Sequence, residues 1–315
     1  MVDFREYRAS SVPVGGGELA VLSWPASVPD APTVLLVHGI TGNALAWAAV
    51  AEAVGGRLNL LAPDLRGRAG SRGLPGPWGI GRDADDVIAV LDYAGLDRVL
   101  VAGHSLGAFV ACAVARRLPG RVERVLAVDG GLSFPLPPGV DPDEVLEAVV
   151  GPAVRKLSMS FADAEAYLDF HRAHPAFVGN WSPQLTAYLG RDTLQLESGH
   201  VASTCVAEAI RADGKQVLMD ASVRDAIKDL PCPAILLYAE RGLLNERQGL
   251  YDTPRLEMAR LVPDRVRTEL VPGTNHYTIV GPGNGADTIA RHLVQGAVQR
   301  SQPTLQGHSP ASHSD

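Results

Sequence analysis

The first 130 residues alternate between short, wholly apolar runs and longer amphipathic stretches. Thr33-Val34-Leu35-Leu36-Val37 is apolar on both faces, as a strand covered by helices on each side must be. Glu18 to Trp24, Leu58 to Ala62, the run ending at Ala102 and Val122 to Val128 read as further strands. Between them, the Ala-rich segment opened by Asn43, the stretch Asp83 to Tyr93 with Val87, Val90 and Leu91 on one side, and Ala108 to Leu118 read as helices. Strand and helix in strict alternation predict an α/β fold, a doubly wound and mostly parallel sheet with helices on both faces.

That rhythm breaks after Asp129 and returns only at Pro233 to Tyr238 and Val266 to Val271. The intervening residues are dominated by helical windows, with expected starts at Ser160 and at Ser182-Pro183, a cap followed by proline at the first helical position. The expected organisation is therefore a core over 1–130, a helical lid over 131–229 inserted after the sixth strand, and the rest of the core over 230–300. A Ser-, Pro-, Gln- and His-rich tail, 301–315, is expected to be disordered. A lid placed this way covers the carboxyl ends of the strands, where such folds bind ligands.

The chemistry starts at Gly103-His104-Ser105-Leu106-Gly107. Strand before and helix after make it a nucleophile elbow, in which Ser105 takes a strained backbone and the two glycines keep strand and helix from colliding. A serine hydroxyl needs a base, an acid to orient the base, and donors for the developing oxyanion. His276, in the loop after the last strand, is the expected base. Asp129, at the end of Leu126-Ala127-Val128, is the favoured acid; Glu240, in the loop after Leu237-Tyr238, competes. The backbone amides of Ile40 and Leu106 are the expected oxyanion donors, with His38 in a supporting role. His171 and His174, three apart in the lid, lack a third ligand nearby in sequence, so no metal site and no cofactor are expected. Trp181, Phe134 and Leu136 are the expected substrate-binding residues.

Composition excludes more than it adds. With a formal net charge of −7 over 315 residues and no Lys/Arg cluster, nucleic acid is not an expected partner. No basic leader with an apolar run and no span-length apolar window is present, so the expectation is a cytoplasmic chain with no membrane partner; homo-oligomerisation stays open. The odd count of 3 cysteines suggests reduced packing residues.

Taken in order, Val37-His38-Gly39-Ile40-Thr41-Gly42-Asn43, Pro63-Asp64-Leu65-Arg66-Gly67-Arg68-Ala69-Gly70-Ser71, the Ser105 elbow and Gly273-Thr274-Asn275-His276 resemble the motif series of the α/β-hydrolase fold family. The resemblance implies an eight-stranded sheet and a serine hydrolase working through an acyl-enzyme on a small-molecule ester or lactone. Ser105 sets the chain apart from dehalogenases and epoxide hydrolases of that fold, which carry aspartate at the elbow. Where many relatives carry the acid after the seventh strand, this chain has Gly242, which strengthens Asp129. An acid after the sixth strand is similar to zearalenone lactone hydrolases, which open a macrolactone. A C–C hydrolase or thioesterase would use the same residues, and a non-enzymatic ligand receptor is the reading of a different class.

Overall fold

The computed structural model describes residues 6–134, 139–141, 144–145 and 155–298. Leu136 and the tail 301–315 lie outside them. In chain order the strands are β1 (Arg8–Val14), β2 (Gly17–Trp24), β3 (Thr33–Val37), β4 (Asn59–Pro63), β5 (Val99–His104), β6 (Val122–Val128), β7 (Thr193–Gln195), β8 (Val201–Ser203), β9 (Ala234–Arg241) and β10 (Val266–Asn275). The helices among the described residues are α1 (Ala48–Val54), α2 (Ile80–Tyr93), α3 (Leu106–Arg117), α4 (Ala164–Arg172), α5 (Pro183–Arg191), α6 (Ala207–Met219), α7 (Ala221–Arg224), α8 (Thr253–Ala259) and α9 (Asn284–Val298). Eight strands form one sheet in the order β1-β2-β4-β3-β5-β6-β9-β10. It is parallel from β4 to β10 and antiparallel at the β1–β2 edge.

This is the expected sheet, and its apolar strands explain it: β3 and β5 are covered on both faces. One face packs α2 and α3 around Leu35, Val101 and Phe109, and the other packs α1 and α9 around Leu36, Trp47 and Ile289. The edge strand β1, Arg-Ala-Ser-Ser-Val-Pro-Val, has no apolar run to announce it. Its side chains are largely exposed, and it is held by backbone pairing with β2 across a tight turn.

Two local expectations are corrected. Ser160 does not start a helix; Phe161 pairs with Val201 in an isolated bridge, and α4 follows Asp163, whose carboxylate caps the Ala166 amide at 2.8 Å. The insertion is also not wholly helical, because β7 and β8 form a short antiparallel hairpin within it. Ser182 does cap α5, accepting from the Leu185 amide at 3.1 Å, with Pro183 at the first turn. The other long helices follow the sequence closely: the one read as Asp83 to Tyr93 begins a turn earlier, at Ile80.

Candidate active site

Strand β5 ends at His104, and Ser105 follows with φ 54° and ψ −120°, a conformation an L-residue adopts only under constraint. Two glycines make the turn geometrically feasible. A Cβ on Gly103 would lie 2.1 Å from the Gly107 carbonyl oxygen, and one on Gly107 would lie 2.1 Å from the Val37 oxygen, so no larger residue fits at either. The clearance is between α3 and its neighbouring strands, which places Ser105 at the sheet's carboxyl edge and at the N-terminus of α3.

Three elements bring their side chains to that point. His276, directly after β10, sets Nε2 3.1 Å from Ser105 Oγ and Nδ1 2.7 Å from Asp129 Oδ2. Asp129, directly after β6, has φ 45° and is fully buried; its amide donates to Leu237 O and its Oδ1 accepts the Ala239 amide at 3.0 Å. With both oxygens of a carboxylate engaged, the Nδ1 proton of His276 points at Asp129 and Nε2 is left as the acceptor facing the serine hydroxyl. Glu240 turns away: its Oε2 accepts the Gly273 amide at 2.7 Å, at an exposed position.

The remaining expected residues divide. Gly39 and Ile40 line the same cleft as Ser105, and a Cβ on Gly39 would touch Ser105 Cβ at 3.3 Å, so the Ile40 segment runs alongside the serine. Leu106 is the first residue of α3, where the amide precedes the intrahelical ladder. Trp181 lines the cleft, its Nε1 donating to Thr186 Oγ1 at 3.0 Å and the Arg172 guanidinium 4.8 Å from its ring centre. Phe134 does not reach the cleft. The chain turns back into the core after Asp129, Leu132 O accepts the Tyr251 hydroxyl at 2.6 Å, and Phe134 packs 6.5 Å from the Tyr251 ring.

Two histidines play parts the sequence left vague. His38 is buried; Nε2 accepts the Leu65 amide at 2.8 Å, so the proton sits on Nδ1 and donates to Gly39 O at 2.8 Å. Burial pushes its pKa down to about 4, so it ties β3 to β4 as a neutral group. His104, the residue before the serine, donates from Nε2 to the backbone oxygen of His276 at 2.8 Å, and the rings lie 4.9 Å apart. Burial, with the neighbouring His276, drives its pKa down to about 3, so it holds the His276 backbone without adding charge. A polar residue inside an otherwise apolar strand end was the only sequence signal for this contact.

The cleft encloses about 320 Å³ under the lid, and Phe177, Trp181, Leu185, Tyr188 and Leu243 supply much of its wall. Among the described residues no Asp, Glu, Lys or Arg lines it. Nor do three or more His, Cys, Asp or Glu side chains gather anywhere among them as a metal would require. No helix among them is long and apolar enough to cross a membrane.

The sequence matches the Alpha/beta hydrolase family over residues 34–290. The chain belongs to the Alpha/beta hydrolase family. Among curated proteins, RutD of Caulobacter sp. (strain K31), named as a carbamate hydrolase, is 34% identical over 107 residues, covering 34% of this chain and 39% of that protein. The chain thus spans well under two thirds of the length of the curated relatives it matches. Among solved structures, E-2-(acetamidomethylene)succinate hydrolase superposes with a TM-score of 0.73 at 20% identity, covering 93% of this chain and 100% of that one. Carboxylesterase CesB of Bacillus subtilis gives 0.62 at 18% identity, covering 92% of each. At such identities the likeness establishes the α/β-hydrolase fold and nothing finer.

Proposed function

We propose that this chain hydrolyses a carboxylic ester or lactone of an apolar substrate through an acyl-enzyme on Ser105. The observation that carries the reading is the unbroken hydrogen-bond chain from Ser105 Oγ through His276 to Asp129, opening into a cleft walled by apolar and neutral groups. His276 Nε2 takes the Ser105 proton as Oγ attacks the carbonyl carbon, and Asp129 stabilises the imidazolium. The Ile40 and Leu106 amides receive the oxyanion. Collapse expels the alkoxide, which leaves as the alcohol with the proton from His276; water, deprotonated by the same nitrogen, then attacks the acyl-enzyme and releases the acid and Ser105. The carbonyl compounds named for the relatives, a carbamate and a carboxylic ester, are open to the same attack. With its aromatic wall and no charged lining among the described residues, the cleft suits a neutral, bulky acyl or alcohol part, and a macrolactone such as zearalenone falls within that class.

Ser105→Ala tests this directly. The expected result is loss of 4-nitrophenyl ester turnover by about 10⁶-fold with the thermal melt retained, and loss of labelling by a fluorophosphonate probe. Retained turnover removes Ser105 as nucleophile, and absence of labelling in the wild type favours a ligand receptor instead.

A further inference from the structure

Behind the cleft lies a small recess of about 30 Å³ that the triad does not use. It shares Thr41, Phe177, Tyr188 and Tyr277 with the wall of the cleft, and Lys156, His171 and His174 line it as well. Its volume admits one water or one small polar group.

The hydrogen bonds around the recess fix what it presents. His171 is buried and donates from Nδ1 to the Tyr167 carbonyl at 2.9 Å, so Nε2 is a bare acceptor with no partner among the described residues. Burial pushes its pKa down to about 4, with the Lys156 charge adding to the effect, so the ring is neutral. His174 has the opposite arrangement: Nδ1 accepts the Ala176 amide at 3.3 Å, which puts the proton on Nε2. Lys156 gives one hydrogen to Asp192 and one to the Tyr167 hydroxyl at 3.2 Å, leaving one ammonium hydrogen unassigned. Among the described residues the lining thus offers one bare acceptor and spare donors, and its only full positive charge, on Lys156, is already paired with Asp192.

We propose that this recess is a hydroxyl-reading subsite, binding a neutral alcohol or phenol carried by the substrate at the end remote from the scissile carbonyl. A hydroxyl satisfies both sides, donating to His171 Nε2 and accepting from Lys156 or His174. A carboxylate is disfavoured: it has no proton to give His171 Nε2, and the Lys156 charge is already paired with Asp192. An unsubstituted hydrocarbon leaves the His171 acceptor to a trapped water and forgoes the hydrogen bond that a hydroxyl makes. The reach is short, since Tyr277 bridges the two sites, its ring 5.4 Å from His276 and 5.6 Å from His174. The proposal deepens the ester and lactone reading and rests on it for the chemistry at the other end.

The test uses the full chain and matched methyl ketones, which bind without being hydrolysed: 4-phenyl-2-butanone, its 4-hydroxyphenyl analogue and its 4-carboxyphenyl analogue, with one shorter and one longer spacer for each. Calorimetric titration should give the hydroxyphenyl ketone at the best spacer a Kd about 10-fold below the phenyl one, with the carboxyphenyl ketone weakest. In His171→Leu the hydroxyl preference should fall to within about 2-fold, and in His174→Leu, at a half-buried site, it should fall part of the way. Equal Kd for phenyl and hydroxyphenyl ketones, tighter binding of the carboxylate, no binding of the hydroxyphenyl ketone, or an intact preference in a His171→Leu protein that melts like wild type each overturns it. The 4-nitrophenyl esters of the matching 3-arylpropanoic acids, run in parallel, separate the two readings. Ester hydrolysis without a hydroxyl preference sinks only the subsite, and a hydroxyl preference without Ser105-dependent hydrolysis sinks only the esterase reading.

Discussion

The sheet end and the lid both bury polar side chains, but they satisfy them differently. At the sheet end the partners are mostly backbone: His38 spans Leu65 and Gly39, His104 holds His276 O, and Asp129 takes the Ala239 amide. In the lid the largest buried group is held mostly by other side chains. Lys156, Asp192, Tyr167, Ser203 and Thr204 form one buried cluster centred on the Asp192 carboxylate. Backbone partners fix a side chain through the fold itself, so the sheet end holds its polar side chains in one arrangement. Side-chain clusters fix only one another and are sensitive to the loss of any one member.

The largest expected difference is at the acid. Asp129→Asn leaves the packing intact but turns an acceptor into a donor toward His276 Nδ1, and kcat should drop by about 10⁴-fold. Glu240→Gln, whose carboxylate only meets the Gly273 amide, should stay within about 5-fold on the same scale, since a hydrogen bond of about 1 kcal/mol is the most at stake. Steady-state assays of both on one activated ester decide it, and a larger loss for Glu240→Gln would overturn the choice of acid.

Next is the lid cluster. Lys156→Met leaves Asp192 charged in the interior with only neutral donors, and should cost about 3 kcal/mol in urea-unfolding stability. Lys156→Met combined with Asp192→Leu should recover much of it, because an apolar pair of similar size needs no desolvation. If the double variant is no more stable than the single, the cluster is not acting as a charge pair.

The same contrast explains what could be read in advance. The sheet, the strand-turn-helix at Ser105 and the hydrogen-bonded set Ser105, His276 and Asp129 were legible because each has a local signal: glycines two residues either side of Ser105, an acid at a strand end, a histidine in the loop after the last strand. The lid was legible only at Ser182-Pro183. Lys156 and Asp192 are 36 residues apart, and no spacing rule links a lysine on one turn to an aspartate after α5. Phe134 misled because an aromatic in an insertion looks like a pocket wall, whereas the Asp129 turn sends it into the core against Tyr251.

A third region, where the lid meets the core, sharpens the comparison through pH. Asp83 on α2 and Asp213 on α6 face each other beside Arg68, which pairs with Asp213; Asp83 Oδ2 and Asp213 Oδ1 have no other buried partner among the described residues. Burial first, then the Asp213 charge, raises the Asp83 pKa well above the ordinary carboxylate value, against the pull of Arg68. The native state therefore holds a proton that the unfolded chain gives up, and stability should decline as pH rises from the ordinary carboxylate value through the raised one. Asp192 has the opposite sign. Burial raises its pKa, but Lys156 and its hydrogen bonds bring it below the ordinary value, so its contribution is present above that value and lost as pH falls through the lowered one. Asp83→Asn, which mimics the protonated carboxyl, should flatten the decline on the alkaline side and leave the acid limb unchanged. An unchanged alkaline slope in urea melts across pH would mean that the pair holds no shared proton.

The smallest effects should separate two aromatics that look equivalent in sequence. Trp181 is half-buried on the cleft wall, held by Thr186 and covered by Arg172, whereas Phe134 packs on Tyr251 away from the cleft. Trp181→Leu removes contact area that a substrate would otherwise meet, so KM for a bulky aromatic ester should rise by about 10-fold with kcat nearly kept and stability within about 1 kcal/mol. Phe134→Leu removes only packing, so it should cost about 1 kcal/mol in stability with KM unchanged. A KM that rises in Phe134→Leu and not in Trp181→Leu would reverse the assignment and move the substrate to the Tyr251 side of the lid.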